Sequence, residues 1–279
     1  MSPVRPNLDL AVVGNCEVSA LIDDLGRIVW MCLPRPDGDP VFSALLTTEG
    51  GASAAGVFAI DLIDLASTEQ RYRRNTAVVE TILHDAHGGS LLIRDFCPRY
   101  RARGRMFRPM MLVRILEPIA GRPVVRIRLR PTRNFGAEAV CGRAGSHHIV
   151  FPVSELEYRP MTFVLGPNQT IEETPSVLAH SLLLETSSYW QDWVRTLAIP
   201  FDWQEEVIRA AITLKLCTFE DTGAVLAALT TSIPEGPGSG RNWDYRYCWL
   251  RDSYFVIQAL NRLGATRTME AYLHFIDHI

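Results

Sequence analysis

Between Arg241 and Asp252 the chain sets Trp243, Tyr245, Tyr247 and Trp249 beside Asp244, Arg246, Arg251 and Asp252. These residue types suit a polyhydroxylated ring. A sugar offers apolar C–H faces that aromatic rings can cover. Its rim of hydroxyls can be held by carboxylate and guanidinium groups through charge-assisted hydrogen bonds, which are stronger than neutral ones. The Arg251-Asp252 pair would supply fixed donors and a fixed acceptor side by side. The competing reading of the same residues is an interfacial cluster with a structural ion pair, since aromatic side chains and arginine also populate packed interfaces.

The stretch sits where a loop meets a helix. Ser232-Ile-Pro-Glu-Gly-Pro-Gly-Ser-Gly240 precedes it, and a helical pattern from Ser253 to Leu263, ended by Gly264, follows. Loops on a rigid scaffold are where binding chemistry concentrates. Residues 8 to about 170 read as strands. Ser19-Ala-Leu-Ile22, Asp23-Asp-Leu-Gly26 and Arg27-Ile-Val-Trp30 read as strand, turn and strand. Leu10–Val13, Val57–Leu65, Thr76–His84, Ser90–Asp95, Met111–Leu116, His148–Pro152 and Met161–Leu165 are further strand candidates. Val125-Arg-Ile-Arg-Leu-Arg130 alternates strictly, so Val125, Ile127 and Leu129 share one face and the arginines the other. Val41–Leu46 reads as a short helical turn. Many short strands with frequent Gly and Pro turns predict a large antiparallel β-sandwich.

From Pro175 the period lengthens. Val177, Leu178, Leu182, Leu183, Tyr189, Trp190, Trp193, Val194 and Leu197 recur at helical spacing, and Pro200 is expected to end that helix. Asp202 is placed to cap the next helix, whose first turn carries Glu205 and Glu206, favoured by the helix dipole. A last helix runs from Thr268 to Ile279 with its apolar face unfinished.

Length and composition bound the remainder. The 279 residues suffice for one large domain or two ordinary ones. A formal net charge of -3 gives no global drive toward nucleic acid or an anionic membrane. The amino end lacks the apolar core of a signal peptide, and no apolar run reaches the length of a membrane span. The six cysteines are scattered without a Cys-x-x-Cys pair, so reduced thiols in a cytoplasmic protein are expected, with no cofactor and no metal site. His274 and His278 stand one helical turn apart but lack the third ligand that a metal site needs. His147-His148 reads as a strand start. The basic run Arg99–Arg108 reads as a solvated hairpin rather than a nucleic-acid footprint, which needs a one-sided field.

Asn242-Trp-Asp-Tyr-Arg-Tyr-Cys-Trp-Leu-Arg-Asp-Ser253 resembles the glucose-binding segment of glycoside hydrolase family 15, which holds the glucoamylase, glucodextranase and bacterial trehalase-like enzymes. Leu229-Thr-Thr-Ser-Ile-Pro-Glu235 is similar to the family's stretch just upstream. Val13-Gly-Asn-Cys16, Gly26-Arg-Ile-Val-Trp-Met-Cys-Leu-Pro-Arg-Pro-Asp37 and Arg94-Asp-Phe-Cys-Pro98 resemble the trehalase-like N-terminal domain. The matching segments run discontinuously from about residue 8 to the end, and it is their combination that is specific.

The resemblance implies a mainly β and then α chain. Residues 1–174 would be the sandwich domain, 175–199 a linker helix, and 200–279 the start of a catalytic (α/α)6 toroid, the whole being the amino-terminal part of a longer enzyme. It implies an inverting, exo-acting hydrolase of α-glucosides such as trehalose or maltooligosaccharides, more trehalase-like than glucoamylase-like. Arg251 and Asp252 would hold hydroxyls of the non-reducing-end glucose, with Tyr245 and Trp249 lining the same subsite. Inversion needs an acid and a base roughly 6.5–9.5 Å apart. The family carries both as glutamates on later toroid segments, so both are expected beyond Ile279. Glu235, isolated in a Pro/Gly loop, reads as a solvated carboxylate. Trp243 and Tyr247 read as packing residues. The rival functions are a non-catalytic carbohydrate-binding or structural sandwich and, more remotely, a nucleic-acid binder. The unfinished apolar helix face leaves a homo-oligomer open.

Overall fold

The computed structural model describes residues 8–46, 55–140, 161–167, 173–231 and 239–279. Glu235, the pair His147-His148, and the strand expected over 148–152 lie outside the described residues.

Two antiparallel sheets form the first part of the chain. The first sheet is built by β1 (Ala11–Gly14), β2 (Ser19–Ile22), β3 (Ile28–Cys32), β4 (Pro40–Phe42) and β5 (Val57–Leu62). The second begins with β6 (Leu65–Tyr72), β7 (Val79–Asp85) and β8 (Ser90–Phe96). A separate hairpin follows, β9 (Tyr100–Ala102) with β10 (Arg105–Phe107). Then come β11 (Leu112–Ala120), β12 (Val125–Arg130), the short hairpin β13 (Thr132–Arg133) and β14 (Glu138–Ala139), and β15 (Met161–Leu165). The first sheet runs β1-β2-β3-β5-β12, with β4 paired to β3, and the second runs β15-β11-β8-β7-β6. Ile22, Ile28, Met31, Phe58 and Ile60 of one sheet meet Val79, Leu83, Ile93, Leu112 and Leu116 of the other in one core. The expected β-sandwich is therefore observed. In β12 the alternation works as read: Val125, Ile127 and Leu129 face that core, while Arg128 on the other face forks onto Asp61 at 2.5 and 2.8 Å.

A charged pair sits in the sandwich interior. Arg114 of β11 and Asp95 of β8 are cross-strand partners, and both side chains are fully buried. The guanidinium forks onto Asp95 at 2.7 and 3.1 Å and donates across the sandwich to the carbonyls of Phe58 (2.9 Å) and Gly26. Such a pair is tolerated in low dielectric because its hydrogen bonds are made.

Four helices follow. α1 (Pro175–Arg195) lays Ala179, Leu182 and Leu183 on the outer face of the second sheet, against Val78, Phe96, Val113 and Ile115. Burying each such leucine stabilises by roughly 1.5–3 kcal/mol. α1 ends at Arg195, short of Pro200, as Ala198 leaves the helix to donate to Leu263 O at 2.8 Å. α2 (Gln204–Leu216) begins after Trp203, which takes the left-handed φ of 59°, so the expected Asp202 cap is not made. β16 (Thr218–Phe219) and β17 (Ala224–Val225) form a hairpin, followed by α3 (Leu250–Arg262) and α4 (Thr266–Ile276). Trp190, Val194, Ile212 and Leu216 pack on Val12 and Cys16 of the sandwich, fixing the helices to the sheets.

Further elements differ from expectation, α4 among them, which spans Thr266–Ile276 rather than Thr268–Ile279. β6 was not anticipated past Leu65: its Leu-Ala-Ser-Thr-Glu-Gln-Arg-Tyr sequence sits at a sheet edge and buries no apolar face. The stretch 41–46 is split into strand β4 and a 3-10 turn, Ala44–Leu46.

Candidate functional site

The wall of the site is a loop pinned from several sides. Ala228 N–H donates to Tyr245 O at 2.8 Å and Ala227 N–H to Tyr247 O at 3.1 Å, so the extended chain after β17 holds the backbone of 244–247. Asp244 bridges to Thr231 in the same way. Trp249 is the residue before α3, and Ser253 N–H donates to its carbonyl at 2.9 Å. The helix opens at Leu250, so Arg251 and Asp252 occupy its first turn rather than the loop before it. A carboxylate there is favoured by the unpaired amides and the helix dipole.

The four expected binding residues come together. The Tyr245 and Trp249 rings lie 5.1 Å apart at 30°, and Trp243 meets Trp249 edge-on at 6.5 Å. The Arg251 guanidinium lies 5.7 Å over the Trp249 ring and donates to Asp252 Oδ2 at 3.1 Å. The Arg251 side chain is 65% exposed, leaving donors facing solvent. An aromatic step thus adjoins a donor–acceptor pair, which can cover one face of a ring and hold its hydroxyls. Trp243 and Tyr247, read as packing residues, are 47% and 52% exposed, with Trp243 packed by its ring edge against Trp249.

Arg246 is the residue that sequence reasoning missed. It is only 3% exposed, in a motif whose neighbours are largely open. Its Nε donates to Asp244 Oδ1 at 3.0 Å and its Nη2 to Asp244 Oδ2 at 2.7 Å. Its Nη1 donates to the Gly38 carbonyl at 2.6 Å and approaches Cys32 Sγ at 3.6 Å. The Phe135 ring lies 5.3 Å from its guanidinium carbon. Burial works to raise the Asp244 pKa, but the Arg246 hydrogen bonds and charge win and hold it below the ordinary carboxylate range. Burial pushes the Cys32 thiol up to about 11, against the hydrogen bond and charge of Arg246. No local signal could have found these contacts, because Gly38 lies 208 residues from Arg246.

A second charged cluster lies apart from this wall. Arg99 forks onto Glu220 at 2.8 and 2.9 Å, Lys215 also bonds Glu220, and Arg108 donates to Asp221 at 2.8 Å. Burial would raise the Glu220 pKa, but the charges of Lys215 and Arg99 and their hydrogen bonds hold it at about 2. The cluster borders a cavity of about 930 Å³ between α1, the β9–β10 hairpin, α2 and α4. Both ends of the basic run are thereby committed to ion pairs, and Arg101, Arg103 and Arg105 are exposed on the hairpin. His278 Nδ1 donates to the His274 carbonyl at 2.7 Å. Among the described residues no group of three or more His, Cys, Asp or Glu is arranged to hold a metal. No helix among them is long and apolar enough to cross a membrane.

Residues 5–148 match the family described as Trehalase-like, N-terminal, which is more than half of the chain. The chain belongs to the trehalase-like N-terminal family. Residues 203–279 match the family described as Glycosyl hydrolases family 15. Cys32, Gly38 and Phe135 lie inside the first match, whereas Tyr245, Arg246, Trp249, Arg251 and Asp252 lie inside the second. Arg246 therefore joins the two matched regions. The chain is 30% identical to a trehalase of Mycobacterium tuberculosis, covering all of this chain and 47% of that protein. It is 29% identical to a trehalase of Mycolicibacterium smegmatis, covering all of this chain and 48% of the relative. A trehalase of Thermoplasma volcanium is 29% identical over 90% of this chain and 44% of its own length. The chain spans about half the length of these curated relatives. No solved structure is a significant match.

Proposed function

We propose that this chain supplies the sandwich and one wall of the glucose subsite of an inverting, exo-acting α-glucoside hydrolase of the trehalase kind. The observation that carries the reading is the joining of an aromatic step, Tyr245 on Trp249, to the Arg251–Asp252 pair in the first turn of α3. The similarity to curated trehalases supports trehalose as the substrate, with maltooligosaccharides as the glucoamylase-like alternative.

In this reading residues 1–174 are the sandwich domain, 175–199 the linker and 200–279 the opening of the (α/α)6 toroid. Arg251 and Asp252 hold hydroxyls of the terminal glucose, and Tyr245 and Trp249 cover its face. Gripping the terminal hydroxyls leaves no room for a longer chain beyond them, which makes the action exo. Holding the ring in register with the reacting groups is itself a large part of catalysis. The general acid and base are assigned to segments outside residues 1–279. Asp244 and Asp252, the carboxylates of the wall, are each already bonded to an arginine. The free cysteines Cys16, Cys32, Cys97, Cys217 and Cys248 support a reducing compartment, the cytoplasm.

The test is glucose release by the full-length gene product from trehalose, maltose, isomaltose, starch and dextran. Release from trehalose that is lost in Arg251→Ala and Asp252→Ala supports the reading. A full-length protein inactive on all five would overturn it in favour of a non-catalytic sandwich module.

A further inference from the structure

We infer that Arg246 is a positioning residue through which the sandwich sets the geometry of the glucose subsite. The inference rests on the sugar reading of Tyr245, Trp249, Arg251 and Asp252, and goes beyond it by making the sandwich part of the site. The hydrogen bonds of the Arg246 guanidinium go to Asp244, Gly38 and Cys32 rather than to those four side chains. Arg246 thus spans two bodies. On one side it forks onto the Asp244 carboxylate at 2.7 and 3.0 Å. On the other its Nη1 donates to the Gly38 carbonyl at 2.6 Å, in the loop between β3 and β4.

The sandwich side of the clamp is itself fixed. Gly38 N–H donates to Arg35 O at 2.9 Å, closing the loop. Asp39 next to it accepts the amides of Asn134 and Phe135 at 2.6 and 2.9 Å. Those bonds hold the turn between β13 and β14 in the left-handed region, with φ of 52° and 54°, and set Phe135 beside Arg246. The arginine thus sits in a cage whose walls are bonded to one another.

The site side transmits the position onward. Asp244 accepts the Trp249 indole Nε1 hydrogen at its backbone carbonyl, at 3.1 Å. Trp249 in turn carries the Tyr245 ring and lies beneath Arg251. A shift of the β3–β4 loop therefore reaches the sugar wall through three links, Gly38 to Arg246, Arg246 to Asp244 and Asp244 to Trp249. Lysine cannot replace the device, because its ammonium lacks the planar fork that serves a carboxylate and a carbonyl together.

The experiment uses the full-length protein with Arg246→Lys, Gly38→Ala and the double variant, measuring kcat and KM for trehalose at 25 °C alongside Tm. Gly38→Ala perturbs the clamp from the sandwich side, since an added Cβ would stand 2.8 Å from Leu33 O and 3.0 Å from Arg35 O. Arg99→Lys, at another cross-element clamp, is the structural control. The expected result is a fall in kcat/KM of about 100-fold in Arg246→Lys and about tenfold in Gly38→Ala, borne mainly by KM. The double variant should lose no more than Arg246→Lys alone. Arg99→Lys should lower Tm and leave KM unchanged. An active wild type whose KM is unmoved by Arg246→Lys and Gly38→Ala, or moved equally by Arg99→Lys, overturns the inference alone. A wild type that releases no glucose from any α-glucoside overturns the sugar reading and the inference with it.

Discussion

The indole Nε1 of Trp249 donates to the backbone carbonyl of Asp244 at 3.1 Å, five residues back along the chain. This bond turns the last loop residue before α3 onto Tyr245 and sets its ring under Arg251. Trp249→Phe keeps an aromatic face but removes the indole N–H together with part of the ring area that meets Tyr245 and Arg251. A neutral hydrogen bond contributes about 0.5–1.5 kcal/mol to stability, so Tm should fall by a few degrees, and kcat/KM on trehalose should fall by about tenfold as the wall loses its alignment. Steady-state kinetics and a thermal melt on the same sample check this.

Arg251 is more exposed than Arg246, and its loss should be felt in function rather than in stability. Arg251→Ala and Asp252→Asn should each lower kcat/KM by roughly 100-fold or more, because a misplaced ring loses near-attack geometry. Their urea unfolding midpoints should stay close to that of the parent. A large drop in midpoint with little kinetic change would mark the pair as structural.

The Arg114–Asp95 pair should show the opposite pattern. Both side chains are fully buried, so removing one leaves an unpaired charge in the sandwich core. Asp95→Leu or Arg114→Met should each cost about 3–5 kcal/mol, whereas the double replacement should cost markedly less than their sum. Urea denaturation of the three variants measures it.

Acid should loosen the joint between sandwich and helices. Glu220 is held at about 2 in the folded protein, against an ordinary 4.5, by Lys215 and Arg99 acting over the opposing effect of burial. As pH falls below 4.5 the unfolded chain takes up this proton first, so the unfolded state binds more protons and stability declines. The contribution is complete above 4.5, is lost progressively toward about 2, and amounts to on the order of 3 kcal/mol. Glu220→Gln should be less stable at neutral pH and show a shallower loss across that window, measured by urea unfolding at several pH values.

Much of the fold was legible because period and burial agree. Strict alternation in Val125–Arg130 placed three half-buried residues against the core, and the change of period at Pro175 marked α1. The misses have local causes. The edge strand β6 buries no apolar face, so it carries no hydrophobic period. The start of α2 is set by a left-handed Trp203, a conformation that nothing in the residue type announces. In the candidate site, the clustering of Tyr245, Trp249, Arg251 and Asp252 was legible from their spacing, while their sugar-binding role is the proposal that the family resemblance suggests. The buried setting of Arg246 was not legible, because its partners Cys32, Gly38 and Phe135 come from the sandwich, far away in sequence.

The most direct test of the central claim is the anomeric form of the glucose released from trehalose by the full-length protein, followed by proton NMR in the first minutes. Inversion converts the transferred glucose to the β anomer and frees the other as α, so the two should appear in equal amounts and both should vanish in Arg251→Ala. Release of α-glucose alone, or no release from trehalose and maltose, would contradict the account.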